Sequence, residues 1–400
     1  MKNQKTGNRY LCTFKHQLYM AENVKLVLSY LFCTILPAIV AAANPIIAKS
    51  NPTIPAVRLM AFRRAKSLDN GVSISWLEQT WNKDVLAKNP LSDADLLLLK
   101  KLGFKSIRLP VAFEYYENEH IADEQIFSHI DNIVKQCRLY GFKLIIDYHN
   151  GNFNENNFPV ETKSIVNLWL KLVKRYKRVS CDDLFFEIYN EPPHMDPQIW
   201  KDAAYNIVTA IRRADLNRTL IVGASNFNSI YELSRFVRLA DENIIYTFHF
   251  YEPFLFTHQG AEWAGDQEST VGVPFPYNAE KFPIINPKAK NTDGEKNYNE
   301  YPIDGNELSV RDKLQIVKNW ADKYDVPLLC GEYGVYGKYA AQDSRCRYIS
   351  TVRRTLTELG IPGLLWDYNG NFSIFNGTPS LQNLPDCMKD AIGYRANGAK

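Results

Sequence analysis

Residues 144–149 read Leu-Ile-Ile-Asp-Tyr-His, and residues 184–190 read Leu-Phe-Phe-Glu-Ile-Tyr-Asn. Each is a short run of β-formers that ends in polar residues, and between them Val166 to Tyr176 carries apolar residues at helical period. Strand, helix and strand in that order make a β/α unit, whose helix returns the chain for parallel pairing. Working outward in both directions, the same rhythm recurs. Candidate strands are Val72 to Ser75, Ser106 to Pro110, Leu144 to His149, Leu184 to Asn190, Leu220 to Gly223, Ile245 to Tyr251, Pro327 to Glu332 and Gly363 to Asp367. Intervening helices are clearest at Ser92 to Leu102, Ile126 to Tyr140, Val166 to Tyr176, Ile199 to Asp215, Arg311 to Tyr324 and Ser344 to Leu359. Ser92 with Asp95 three residues later reads as an N-cap, and Gly103 and Gly141 stand where C-caps belong. Eight such strands alternating with helices predict an α/β fold, a single (β/α)8 TIM barrel.

The bulk of the chain agrees with one large domain. Its 400 residues are 46% hydrophobic and 23% charged, enough apolar material for a sizeable core, and no Pro/Gly/Ser linker divides it. The formal charge of +3 comes from 47 basic and 44 acidic residues that are scattered, without the basic patch a nucleic-acid partner needs. The N-terminus differs from the rest. Leu26 to Ala43 is an apolar run preceded by Lys25 and closed by three alanines, the pattern of a cleaved leader. Its length also sits near the lower limit of a membrane span. Residues 1–43 are therefore read as a signal peptide or membrane anchor, and 44–400 as the barrel domain. Export with cleavage before Asn44 is expected, with a secreted or periplasmic destination, and translation starting at Met20 would give the leader an ordinary basic segment. Five cysteines lie beyond the leader, Cys137, Cys181, Cys330, Cys346 and Cys387. Their spacing makes no zinc motif and settles no pairing; Cys137 with Cys181 is one arrangement, and Cys330, inside an apolar run, reads as a buried free thiol.

Function is read from where the polar residues fall. Arg108, His149, Asn190, Glu191, His249, Tyr251, Glu332 and Trp366 each stand at or just beyond the C-terminal end of a candidate strand. That end is the catalytic face of such a barrel. Period two puts His249 and Tyr251 on one face, and likewise Cys330 and Glu332. Between Tyr251 and about Glu307 the helical period is absent, which predicts a long loop at this face, with Phe254, Trp263, Phe275 and Tyr277 as candidates to line a cleft.

Retaining cleavage of a glycosidic bond needs two carboxyls about 5 Å apart, one protonated and one ionised. Glu191 and Glu332 follow the fourth and seventh strands and fit that requirement. Arg108 and the Tyr251 hydroxyl would hold charge on Glu332, and the alternative for Arg108 is a buried structural ion pair. His149 and His249 would bind sugar hydroxyls or tune the carboxyls, Asn190 would bind the 2-hydroxyl, and Trp366 would form a platform under the sugar. Asp147 and Glu187, below the site, read as buried polar scaffolding.

The whole constellation resembles glycoside hydrolase family 5, the cellulase family of clan A. The resemblance runs from about residue 65 to 370 through Ile107-Arg108-Leu109-Pro110, Asp147-Tyr148-His149, Glu187-Ile188-Tyr189-Asn190-Glu191-Pro192, His249-Phe250-Tyr251, Gly331-Glu332-Tyr333-Gly334 and Leu365-Trp366. It implies that Glu191 is the general acid/base and Glu332 the nucleophile, acting on β-1,4-glucan without cofactor or metal. Two positions depart from the pattern. Asn150 stands where the cellulases often carry a second His, and Ser73 where an Asn is common, and both bear on substrate more than on reaction. A β-mannanase or β-1,3-glucanase on the same barrel is the enzymatic alternative, because loops choose the sugar. A non-catalytic carbohydrate-binding protein is the other, and the presence of both glutamates argues against it. The expected partner is a β-glucan polysaccharide or oligosaccharide, met by a monomer, with a membrane tether only if the leader is retained.

Overall fold

The computed structural model describes residues 54–82, 84–87 and 91–395, so the leader read at 1–43 lies outside the described residues. Eight parallel strands form a closed barrel in sequence order: β1 Gly71–Ser73, β2 Ser106–Val111, β3 Lys143–Tyr148, β4 Leu184–Glu187, β5 Leu220–Val222, β6 Ile244–Phe250, β7 Leu328–Tyr333 and β8 Gly363–Leu365. β8 closes on β1 with Leu364 opposite Gly71.

Strand alternation divides the interior into two apolar regions. Leu144, Ile146 and Tyr148 of β3 face the surrounding helices, together with Ile107 and Leu109 of β2 and Phe186 of β4. Their neighbours Ile145, Phe185, Ile221, Ile245, Leu329 and Leu364 fill the barrel lumen. One step further along the same inward rows the side chains become polar: Asp147 follows Ile145, Glu187 follows Phe185, and Thr247 then His249 follow Ile245. The lumen is therefore apolar below and charged above, and the charged layer lies under the C-terminal rim.

β7 breaks the alternation. Phe248 pairs with Cys330, but His249 pairs with Glu332, so the register slips by one residue at Gly331. The bulge leaves Cys330 facing outward with Phe248 while Glu332 turns inward beside His249. The expectation that Cys330 and Glu332 share a face is thereby corrected: a strict period of two holds only in a regular strand. Gly331 is required where it stands, because a Cβ there would lie 2.6 Å from Thr247 Oγ1 and 3.3 Å from His249 Nε2.

The helices between strands agree with their periodicity. Ser92 and Asp95 form a full capping box at the start of Asp93–Lys101. Gly141 ends Asp123–Tyr140 in the left-handed conformation at φ 72°. Among the described residues, besides helices of six residues or fewer, two helices go unread in the sequence. Ile54–Ser67 contributes Ala65, with Leu68 just beyond its end, to the lumen cluster and closes the barrel floor. Arg64 anchors it to Asp182 at 2.7 Å and Thr219 Oγ1 at 2.9 Å. Asp293–Asp304 lies within the stretch taken for a long loop; it is mostly polar, contains Pro302 and buries only Gly294 and Tyr301, so it carries no apolar stripe to recognise. Cys346 in helix Gln342–Glu358 is bonded to Cys387 in helix Asp386–Ala391, while Cys137, Cys181 and Cys330 are free. The Cys137–Cys181 pairing is thus corrected; adjacent helices brought the other two together. Among the described residues no helix is long and apolar enough to cross a membrane.

Candidate active site

Arg108 organises the charged layer. Projecting inward from β2 and fully buried, it donates from Nε to Glu187 Oε2 at 2.7 Å and from Nη2 to Glu187 Oε1 at 3.0 Å. Nη1 reaches Glu332 Oε1 at 2.6 Å, Nη2 reaches Asn190 Oδ1 at 2.6 Å, and Asp147 Oδ2 lies 3.0 Å from Nη2. One cation is shared by three carboxyls, so the structural ion pair and the contact to Glu332 are the same residue's work. Burial raises Asp147 to about 7 against the pull of Arg108. Burial also raises Glu187, again opposed by Arg108.

Above this layer the two glutamates face each other. Glu332 accepts from Arg108 and, on Oε2, from the Tyr251 hydroxyl at 2.8 Å, two donors that favour negative charge there. Among the described residues Glu191 has no Lys or Arg paired with it. Its Oε1 lies 2.6 Å from His249 Nδ1, and 32% of its side-chain surface stays open to the cleft. Desolvation pushes Glu191 up to about 7, against the pull of His149 and Arg108. One oxygen of Glu191, one ring nitrogen of His249 and one oxygen of Glu332 all lie within 4.8 Å of one another. Three donors that close have the compactness of a cation site, but His249 Nδ1 and Glu191 already engage each other, and Glu332 Oε2 already accepts from Tyr251.

Both histidines are held neutral at ordinary pH. Burial, reinforced by Arg108, lowers His149 to about 4, and burial lowers His249 to about 4 despite Glu332 nearby. His149 Nδ1 is tied to Asp147 Oδ2 at 2.8 Å, and its ring stacks on Trp366 at 5.6 Å with the planes 7° apart. All eight rim residues singled out in the sequence therefore meet in one constellation. The aromatic candidates divide. Phe275 is buried against Phe256 and Tyr348 and serves packing, and half-buried Tyr277 stands edge-on to Phe282. Phe254 stacks on His258 at 4.0 Å. Trp263, 58% exposed, stands edge-on to Tyr336 at 4.8 Å, beside a cluster that joins Ala261, Tyr336 and Phe372 to Tyr251 and Trp366. Tyr336 and Phe372 were missed because they follow β7 and β8 in segments without period.

A closed parallel barrel with two carboxyls set across its C-terminal mouth, one desolvated and one held by donors, defines the class of barrel glycoside hydrolases. Known proteins agree: the family described as Cellulase (glycosyl hydrolase family 5) matches residues 67–372, and the chain belongs to it. The chain is 29% identical over 371 residues to Endoglucanase 3 of Fibrobacter succinogenes, covering 86% of this chain but only 56% of that protein's length. It is 30% identical over 308 residues to Endoglucanase C of Acetivibrio thermocellus, covering 72% of this chain and 86% of that one. A solved endoglucanase structure superposes with a TM-score of 0.68 at 26% identity, covering 83% of this chain and 99% of its own. The chain is accordingly a member of a glycosyl hydrolase family and resembles endoglucanases.

Proposed function

We propose that this chain is a retaining endo-β-1,4-glucanase in which Glu332 is the nucleophile and Glu191 the acid/base. The observation that carries the reading is the spacing: one oxygen of Glu191 lies within 4.8 Å of one oxygen of Glu332, which fits a retaining pair at about 5–5.5 Å and is too close for the about 6.5–9.5 Å separation that leaves an inverting enzyme room for its water. Glu332, charged and fixed by Arg108 and Tyr251, attacks the anomeric carbon. Glu191 gives its proton to the departing glycosidic oxygen, then takes one from the water that releases the sugar from Glu332. A neutral His249 with its proton on Nδ1 donates to Glu191 Oε1 and leaves Oε2 to carry the transferable proton. Asn190, whose carbonyl is taken by Arg108, keeps its amino group for a sugar hydroxyl, and Trp366 over His149 supplies a flat platform.

The glucan assignment draws on the relatives' names, Endoglucanase 3 and Endoglucanase C. Export of a monomer through the Leu26 to Ala43 leader belongs to the same reading; the Cys346–Cys387 bond suits an oxidising compartment, and N-terminal sequencing of the mature protein should begin near Asn44. Proton NMR of cellopentaose cleavage tests the chemistry: the β-anomer should appear first, and first appearance of the α-anomer overturns retention. Higher specific activity on β-1,4-mannan or β-1,3-glucan than on β-1,4-glucan overturns the sugar.

A further inference from the structure

Two buried acids beside the catalytic pair have no part in that mechanism. Glu78 lies beyond β1 and Asp367 beyond β8, 3% and 1% exposed. Ser75 stands between them. Its hydroxyl is hydrogen-bonded to Glu78 Oε1 and is within hydrogen-bonding reach of Asp367. A Cβ built on Gly370 would meet both Asp367 Oδ2, at 2.1 Å, and Ser75 Oγ, at 3.2 Å, so the three groups crowd one point. Asp367 also accepts from the backbone N–H groups of Gly370 and Phe372, which closes the turn that follows Trp366, and Arg345 is the cation on its side. Glu78 has no such support. Among the described residues the charges acting on it are Asp367 and Glu332, both acidic, and the remaining titratable neighbour is Tyr116, whose hydroxyl has no partner.

A proton count decides how the three are ordered. One hydroxyl carries one proton and can serve one carboxylate. If Ser75 gives its proton to Glu78, buried Asp367 loses that hydroxyl as a donor and keeps only the two backbone N–H groups, which is costly. If Glu78 is itself protonated, it donates to Ser75 Oγ, and Ser75 is free to donate to Asp367. Gln79 Nε2, 3.3 Å from Ser75 Oγ, fills the second lone pair, and every position on the hydroxyl is then used. Burial raises both acids, Asp367 to about 7 and Glu78 to about 8, but only Asp367 has backbone donors and Arg345 to favour its charge, so Asp367 ionises first and the remaining proton belongs on Glu78.

We propose that Glu78 is a positioning residue that works as a neutral acid: it donates to Ser75, Ser75 donates to Asp367, and this chain of hydrogen bonds sets the turn that carries Trp366 beside the nucleophile. Burial pushes Glu78 up to about 8, in keeping with a protonated carboxyl at working pH. As the pH rises through that value the donor is lost, a further negative charge arrives beside Asp367 and Glu332, and the turn loosens.

The proposal rests on the reading above only in placing Trp366 in the substrate cleft, and the test separates the two. Glu78→Gln keeps a donor that cannot ionise, whereas Glu78→Ala and Ser75→Ala cut the chain. On a dinitrophenyl β-cellobioside, whose leaving group needs no proton from Glu191, kcat/KM of the unaltered enzyme should fall on the alkaline side with an inflection near 8. Glu78→Gln should stay within about twofold of it at pH 6 and lack that inflection, while the two truncations lose about tenfold or more, the scale of one buried hydrogen bond. Carbon-13 NMR of labelled glutamate carboxyls, with the Glu78 signal assigned by its absence in Glu78→Gln, follows the proton without any turnover. A Glu78 that titrates near the ordinary value of about 4.3 overturns the proposal whatever the enzyme's activity. So does a Glu78→Gln enzyme as impaired as Glu78→Ala, or one whose alkaline limb is unchanged. If no β-glucoside is cleaved, the catalytic reading fails, and the NMR titration still decides the state of Glu78.

Discussion

Replacing Glu191 with Ala should separate the two halves of the reaction. With its carboxyl raised to about 7, Glu191 is about nine-tenths protonated at pH 6, where an ordinary glutamate near 4.3 would be only about 2% protonated. Burial thus enlarges the acid population about fortyfold while Glu332 is served by two donors. General acid catalysis of this kind is worth about 10²–10⁴ in rate. On cellopentaose, whose leaving group is a poor one, Glu191→Ala should lose kcat/KM by about that factor, and the alkaline limb near 7 should vanish. On a dinitrophenyl cellobioside the first step should survive, and release of the glycosyl-enzyme should become limiting because the water has lost its base. Azide can then replace that water, attack the glycosyl-enzyme and yield the β-glycosyl azide, since two inversions give net retention. In Glu332→Ala, azide enters from the emptied nucleophile side and yields the α-azide by one inversion. Product NMR reads the anomer directly, and the opposite anomers from the two variants would refute the division of labour.

Other perturbations test the scaffold. Arg108→Met leaves Asp147, Glu187 and Glu332 around a pocket stripped of its cation, and should cost about 3–5 kcal/mol in urea denaturation at pH 7, the range for breaking a buried ion pair; a loss under about 1 kcal/mol would contradict the central role of that guanidinium. Thermal stability should fall between pH 6.5 and 8.5. Buried Asp147 and Asp367, raised to about 7, and Glu78 and Glu268, raised to about 8, keep protons in the folded state that the unfolded chain has already lost, so their contribution is full at low pH and disappears as pH climbs through the folded values. His149 and His249, lowered to about 4, and His258, lowered to about 3, act in the opposite sense but only below about 6.5, where the unfolded histidines protonate. Calorimetry showing a Tm that rises from pH 6.5 to 8.5 would count against these burial effects. Opening the Cys346–Cys387 link with paired serines frees a 41-residue loop and should cost up to about 4 kcal/mol by loop-closure entropy, measurable as a lower urea midpoint. Trp263→Ala should raise KM on long β-glucan chains about three- to tenfold, the scale of one aromatic contact, and leave a short cellobioside unaffected; equal effects on both would place Trp263 elsewhere.

The family assignment and the barrel were both legible in the chain because they depend on local pattern. Period two against 3.6 distinguishes β3 from the helix that follows it, and the polar residue ending each strand marks the catalytic rim before any contact is known. Asn190-Glu191-Pro192 and the rim positions of Arg108, His249 and Tyr251 are of this kind. Other features exist only once distant segments meet. The slip at Gly331 that turns Cys330 outward and Glu332 inward is set by close packing against Thr247 and His249, not by any signal in β7 itself. Helix Ile54–Ser67 has a face that makes sense only as a lid on the apolar lumen, and the Cys346–Cys387 bond only when two helices lie side by side. The proton state of Glu191 and the shared use of Arg108 by Asp147, Glu187 and Glu332 likewise have no sequence counterpart. Desolvation and charge pairing depend on what surrounds a group in three dimensions, and along the chain those surroundings come from strands more than 200 residues apart, as with Arg108 and Glu332 at a separation of 224.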